Sequence, residues 1–248
     1  MPRANRYFIP GHVWHITQRC HKQEFLLKFA RDRHCLIHWL YQATRRYDLR
    51  VLNYIVTSNH IHLLVMDDGK SNIPKSLQLI AGCTAQQYNR RKQRKGAYWE
   101  DRYHATAIEG GEHLARCLVY IDMNMVRAGV VSHPSAWLWS GYHEIQTSPQ
   151  RKGIIDLELL KSLWNLKDIM GLQALRQGWV EEALLTTSNE RNADWTNNVA
   201  VGGKAYIEAV KAQLGLKVRA RKIVSAGEGY AIQEENAAYN LHFDAKNH

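Results

Sequence analysis

The sequence predicts an α+β fold: a ferredoxin-like βαββαβ sheet carrying one added helix, followed by a mainly helical C-terminal extension. Two observations lead there. Apolar periodicity alternates between two and about 3.6 residues in the order strand, helix, strand, strand, helix, strand, helix over residues 13–126. The length of 248 residues suits one domain plus an extension.

Each element has its own warrant. Residues 13–19 (VWHITQR) alternate as a strand, and residues 29–47 place Leu36, Trp39, Leu40 and Ala43 on one helical side. Residues 49–59 and 60–66 read as two strands joined by a tight polar turn at Thr57–Asn59. Pro74 opens a second helix running to about Arg94, with Gly96 as a stop. Residues 102–108 fit a fourth strand, Gly110-Gly111 breaks the chain, and residues 112–126 form a third helix. The first domain closes near residue 145, within a polar connector over 141–152. Residues 146–248 read as the extension: helices over 156–170 and 171–187, a loop over 188–198, then a helix over 202–222. That helix ends in a basic segment, Lys217, Arg219, Arg221 and Lys222, and the last twenty residues are expected to be poorly ordered.

Charge is unevenly placed. The formal net charge is +10, but residues 1–100 carry 17 basic and 6 acidic residues while residues 101–248 carry 16 and 17. The excess therefore sits with the first domain, which suits a polyanion partner. The run Arg90, Arg91, Lys92, Arg94, Lys95, followed by Trp99 and Arg102, joins charge to an aromatic surface and is the candidate nucleic-acid-binding segment. A solvated helix end is the plainer alternative. Cys20, Cys35, Cys83 and Cys117 make no CxxC pair, so reduced thiols are expected. No stretch resembles a signal peptide or a membrane span, which predicts a cytoplasmic, nucleoid-associated protein with no membrane partner.

His60-Ile61-His62 is the most informative motif. Two histidines two residues apart on a strand share a face, and each ring needs a polar partner, so the pair is half of a divalent-metal site or a pair of hydrogen-bonded structural histidines. Tyr120 and Asn124 lie four apart on the third helix and share its face. If that face meets the histidines, Asn124 completes a His-His-Asn site for Mg²⁺ or Mn²⁺, with Tyr120 beside it as a nucleophile. Packing is the competing role for Tyr120. Tyr88, Tyr98 and Tyr103 are rival nucleophiles, although packing or base stacking suits them better, and His12, His15, His21 and His104 read as surface or satisfied histidines.

Five blocks in order over residues 1–145 carry a resemblance: 10–17 (PGHVWHIT), 60–62 (HIH), 98–103 (YWEDRY), 120–129 (YIDMNMVRAG) and Pro134 with 137–142 (WLWSGY). On these the chain resembles the HUH-type single-tyrosine transposases, specifically their REP-associated branch. The resemblance implies His60 and His62 as metal ligands, Asn124 as a candidate ligand, and Tyr120 as the nucleophile. The reaction implied is metal-dependent cleavage and rejoining of single-stranded, hairpin-bearing DNA through a 5′-phosphotyrosine intermediate. Met125 stands where that family has proline, which loosens the expected aim of Asn124. Monomer and homodimer both fit. Two other readings compete: a domesticated hairpin DNA or RNA binder that keeps the fold without the reaction, and a cupin-like iron site, which the basic charge and the intervening helices disfavour.

Overall fold

The computed structural model describes residues 8–147, 153–186, 194–215, 218, 221–227 and 229–233. The first seven elements follow the predicted order: β1 (Val13–Arg19), α1 (Ala30–Tyr47), β2 (Arg50–Val56), β3 (His60–Met66), α2 (Asn72–Arg91), β4 (His104–Ile108) and α3 (Glu112–Asp122). Leu36, Leu40 and Ala43 are fully buried along α1, which stops where Asp48 turns left-handed. Pro74 sits in the first turn of α2, where a missing N–H costs no helical bond. β3 is buried along nearly its whole length because β1 and β2 flank it.

β1 to β4 stand in the order β2-β3-β1-β4, all antiparallel to their neighbours. Both crossovers, through α1 and through α2, fall on one face by the right-handed rule, and the two helices pack side by side. α3 takes the opposite face, tied to β2 by Asn53 Nδ2, which donates to Asp122 Oδ1 at 3.0 Å.

Two predicted boundaries change. The third helix is interrupted at Met123 (ψ 0°) and resumes as α4 (Asn124–Arg127), which ends before Gly129 at φ +66°, a left-handed position that glycine occupies at low cost. The expected polar connector begins as a helix, α5 (Gly141–Thr147), because Tyr142 and Ile145 bury inward. Gly141 permits this approach, since a Cβ there would lie 2.6 Å from Asn53 Oδ1.

The extension holds the expected helices α6 (Leu157–Ser162) and α7 (Ile169–Thr186), then α8 (Asp194–Asn197) where a loop was expected. It also contributes strands that the periodicity does not reveal: β5 (Asn198–Gly202), and after α9 (Lys204–Leu214) the hairpin β6 (Ile223–Ala226) and β7 (Gly229–Gln233). They extend the sheet to seven strands, β2-β3-β1-β4-β5-β7-β6, with β5 parallel to β4. The physical reason is the edge of β4, whose open backbone groups β5 pairs. Residues 229–233 are thus an ordered strand, contrary to the expectation for the last twenty residues. Lys217, Arg219 and residues 234–248 lie outside the described residues. No helix among the described residues is long and apolar enough to cross a membrane. Cys20 and Cys117 are buried free thiols, and burial pushes the Cys20 thiol up to about 12.

Candidate active site

Register places the histidines. Thr17 pairs with His62 and Arg19 with His60, while His15 pairs with Thr106 and Thr17 with His104. Directly paired residues share a face, so His15, His60, His62 and His104 all lie on the face that α3 covers. His62 is buried and His60 half-buried at the strand end, with ring centroids 4.9 Å apart.

Hydrogen bonds fix both rings. His60 Nδ1 donates to Asn59 Oδ1 at 2.7 Å and lies 3.0 Å from Thr57 Oγ1, whose own proton goes to the His60 carbonyl. His62 Nδ1 lies 2.9 Å from His15 Nε2, and His15 Nδ1 donates to the Trp195 carbonyl at 2.7 Å. Desolvation pulls the pKa of the fully buried His15 down to about 4, so the ring is neutral near pH 7. For His60, the Asn59 amide oxygen accepts from Nδ1, which leaves the lone pair of that ring on Nε2.

Tyr120 near the end of α3 and Asn124 at the start of α4 both reach this spot, although the helix breaks at Met123 between them. Asn124 Nδ2 is 3.1 Å from His62 Nε2. The Tyr120 ring meets His62 edge-on at 5.8 Å and His15 at 6.0 Å, and is only 7% exposed. Met125 lets the chain continue helically through Arg127, and Asn124 remains aimed at the sheet. Arg127 returns over the Tyr120 ring, its guanidinium 4.2 Å from the centroid, and donates to the Tyr120 carbonyl at 2.8 Å. The helix is held in rotation by Asp122, which accepts both Asn53 Nδ2 and the guanidinium of Arg176 from α7, at 2.8 Å from Nε.

The donor set fits a six-coordinate, oxygen-tolerant cation. His62 Nε2 and the Asn124 amide meet at 3.1 Å, close to the ~3 Å edge of an octahedron with bonds of about 2.1 Å, and the His60 ring stands edge-on to His62 with centroids 4.9 Å apart. A half-turn of the Asn124 amide presents its oxygen. No three His, Cys, Asp or Glu side chains among the described residues are placed to hold a metal ion together, so a closed structural zinc cage is not the match here.

The candidate nucleic-acid residues fall into two groups. Arg90, Lys92, Lys95 and Arg102 are exposed. Arg91 is ion-paired to the buried Asp32, Arg94 donates to the Ala97 carbonyl at 2.7 Å, and the half-buried Trp99 donates its Nε1 proton to the Ala81 carbonyl at 3.0 Å. The last three are anchored in the fold, and Trp99 presents little open face for stacking. The group nevertheless meets the site: Trp99 bridges to Cys20, next to Arg19, the partner of His60. A cavity of about 470 Å³ lined by Arg31, Asp32, Tyr88 and Arg90 opens between α1 and α2, away from the histidine face.

Several residues escaped the sequence reading. His15 and Trp195 support His62, Arg127 covers Tyr120, and Phe25 and Phe29 are 62% and 58% exposed beside the basic helix end. Lys92 Nζ lies 5.8 Å from the Phe29 ring. Arg127 and the phenylalanines had a legible signal, being seven residues from Tyr120 and interleaved with basic residues. Trp195 had none.

Comparison with known proteins follows the same segment. The family described as "Transposase IS200 like" matches residues 10–124. The solved structure of a REP-associated tyrosine transposase bound to a REP hairpin aligns with a TM-score of 0.50 and 22% identity, over 62% of this chain and 90% of that one. A protein described as a transposase from Deinococcus radiodurans aligns at TM-score 0.35 and 14% identity, over 51% of this chain and 95% of that one. No curated protein matches. The matched segment, under half of the chain, contains His60, His62, Tyr120 and Asn124 together, and over residues 10–124 the chain is similar to the IS200-like transposases.

Proposed function

We propose that this chain is a REP-associated tyrosine transposase that cleaves and rejoins single-stranded DNA beside a palindromic hairpin. The observation that carries the reading is the convergence of Tyr120 and Asn124 on His62, one helix face meeting one strand face. Tyr120 Oη attacks a phosphodiester, the Tyr–O–P bond forms as the P–O3′ bond breaks, the phenol proton passes to solvent and the 3′ oxygen gains one. The 5′-phosphotyrosine keeps the bond energy for rejoining.

His60, His62 and Asn124 are the residues that would hold Mg²⁺ or Mn²⁺. A bound ion would polarise the scissile phosphate and neutralise developing charge. Arg127, its guanidinium 4.2 Å from the Tyr120 ring centroid, covers the ring and limits its rotation. The hairpin of the solved relative supports a hairpin-bearing partner.

The deciding experiment incubates labelled hairpin-bearing single strands with protein and Mn²⁺ or Mg²⁺, followed by a denaturing gel. A covalent adduct is expected, abolished by chelator and reduced at least ~100-fold in His62→Ala. Binding that ignores chelator, with no adduct under either metal, would replace this reading with the non-catalytic hairpin binder.

The basic surface makes its own prediction. Arg90→Ala/Lys92→Ala/Lys95→Ala removes three exposed cations, and with about 0.7 counterions released per single-strand contact the slope of log K against log salt should flatten by roughly 2. Phe25→Ala and Phe29→Ala should weaken binding with little change of slope, by about 1–3 kcal/mol for each stacked base lost. Titrations by anisotropy at several salt concentrations check both. An unchanged slope in the triple variant would place the strand elsewhere.

A further inference from the structure

We propose that His15 is a positioning residue: fixed by a main-chain carbonyl of the C-terminal extension, it holds His62 in the tautomer that turns the Nε2 lone pair toward Asn124. The argument begins at the far end of the relay. A carbonyl oxygen only accepts, so the 2.7 Å contact from Trp195 places a proton on His15 Nδ1. In the neutral ring His15 Nε2 then accepts, and its 2.9 Å contact requires that His62 Nδ1 donate. The two ring planes lie within 2° of each other, with centroids 5.0 Å apart. What remains on His62 is Nε2, 3.1 Å from Asn124.

The anchor is well held. Trp195 is buried, and the next turn of chain is pinned to β4 by Thr106 Oγ1 and His104 Nε2, both on the Asn198 carbonyl at 2.6 and 3.0 Å. No side-chain substitution at Trp195 removes its carbonyl. The two histidines of the motif are thus oriented by different means. His60 is set locally by Thr57 and Asn59, three residues or fewer away, while His62 depends on a contact spanning 180 residues of chain. The extension, which carries none of the family blocks, completes the site from beneath. The purpose assigned to the lone pair rests on the metal reading above; the tautomer itself does not.

The test uses the full chain, metal-free, with ¹⁵N-labelled histidine. Two-bond ¹H–¹⁵N correlation spectra distinguish protonated from bare ring nitrogens, and Mn²⁺ affinity is measured by EPR titration. The wild type should show His62 protonated on Nδ1. His15→Phe, which keeps an aromatic ring but no acceptor, should shift His62 toward the Nε2-protonated form and weaken Mn²⁺ binding about 10- to 100-fold. His15→Gln, whose amide can donate to Trp195 and accept from His62, should restore both. A wild-type spectrum with His62 protonated on Nε2 overturns the proposal even if the variants misfold. So does His15→Phe with an unaltered tautomer. A wild type that shows the expected tautomer yet binds no Mn²⁺ sinks the metal reading instead and leaves the positioning role of His15 standing.

Discussion

Tyr120→Phe is expected to form no covalent adduct with hairpin-bearing DNA and to lose strand cleavage by at least ~10³-fold, while folding and DNA affinity stay near wild type. The substitution removes one oxygen atom from a ring packed edge-on to His62 and His15 and covered by Arg127. Those contacts are made by the ring, so stability should change by less than about 1 kcal/mol. The chemistry has no such tolerance, because a residue that acts as the nucleophile leaves little behind when it is removed. Tyr88→Phe, Tyr98→Phe and Tyr103→Phe serve as controls. Tyr98 is 2% exposed, with its hydroxyl pushed far up by burial, and is a poor nucleophile on both counts. Mass spectrometry of the digested adduct should find DNA on the peptide containing residue 120. An adduct of normal yield in Tyr120→Phe would refute the assignment.

How much of this was readable from residues alone depends on the range of the interaction. The βαββαβα order rests on local periodicity and emerged with small boundary shifts, since Leu36, Leu40 and Ala43, or the apolar run within His60–Met66, are decided by neighbours a few residues away. The spacing of Tyr120 and Asn124 was legible, but the break at Met123 that separates α3 from α4 between them was not. β5 was hidden because Val199-Ala200-Val201 is too short an apolar run to distinguish strand from helix, and its reason for existing is the edge of β4, ninety residues earlier. His15 looked like any satisfied histidine because the group that satisfies it, the Trp195 carbonyl, leaves no mark in composition or spacing. Arg176 is different again. It falls on the buried stripe Leu172, Arg176, Val180 of α7, and a lone arginine on an apolar helical face is a legible demand for a buried acid.

That demand leads to the other large expected effect. Arg176 and Asp122 have side chains 1% and 0% exposed, joined by a two-pronged contact and shared with Asn53. Breaking the pair strands a charge in the interior: Arg176→Met should cost about 3–5 kcal/mol, and Asp122→Ala a similar amount. At roughly 2–4 °C per kcal/mol for a chain of this size, each single variant should melt about 6–20 °C lower. Arg176 Nη1 has no hydrogen-bond partner among the described residues, so the pair is already imperfectly compensated. The double variant Asp122→Leu/Arg176→Met, which buries no charge, should therefore recover most of the lost stability. Its activity should not recover with it. Asp122 lies between Tyr120 and Asn124, and its bonds to β2 and α7 set the rotation of the helix that aims both at His62, whereas an apolar pair fixes volume but not rotation. Thermal melts and adduct rates on the same three proteins separate the two roles. A double variant melting as low as the singles would show that the ion pair stabilises by more than avoiding a stranded charge, and one with wild-type adduct rates would show that the helix is aimed by packing alone.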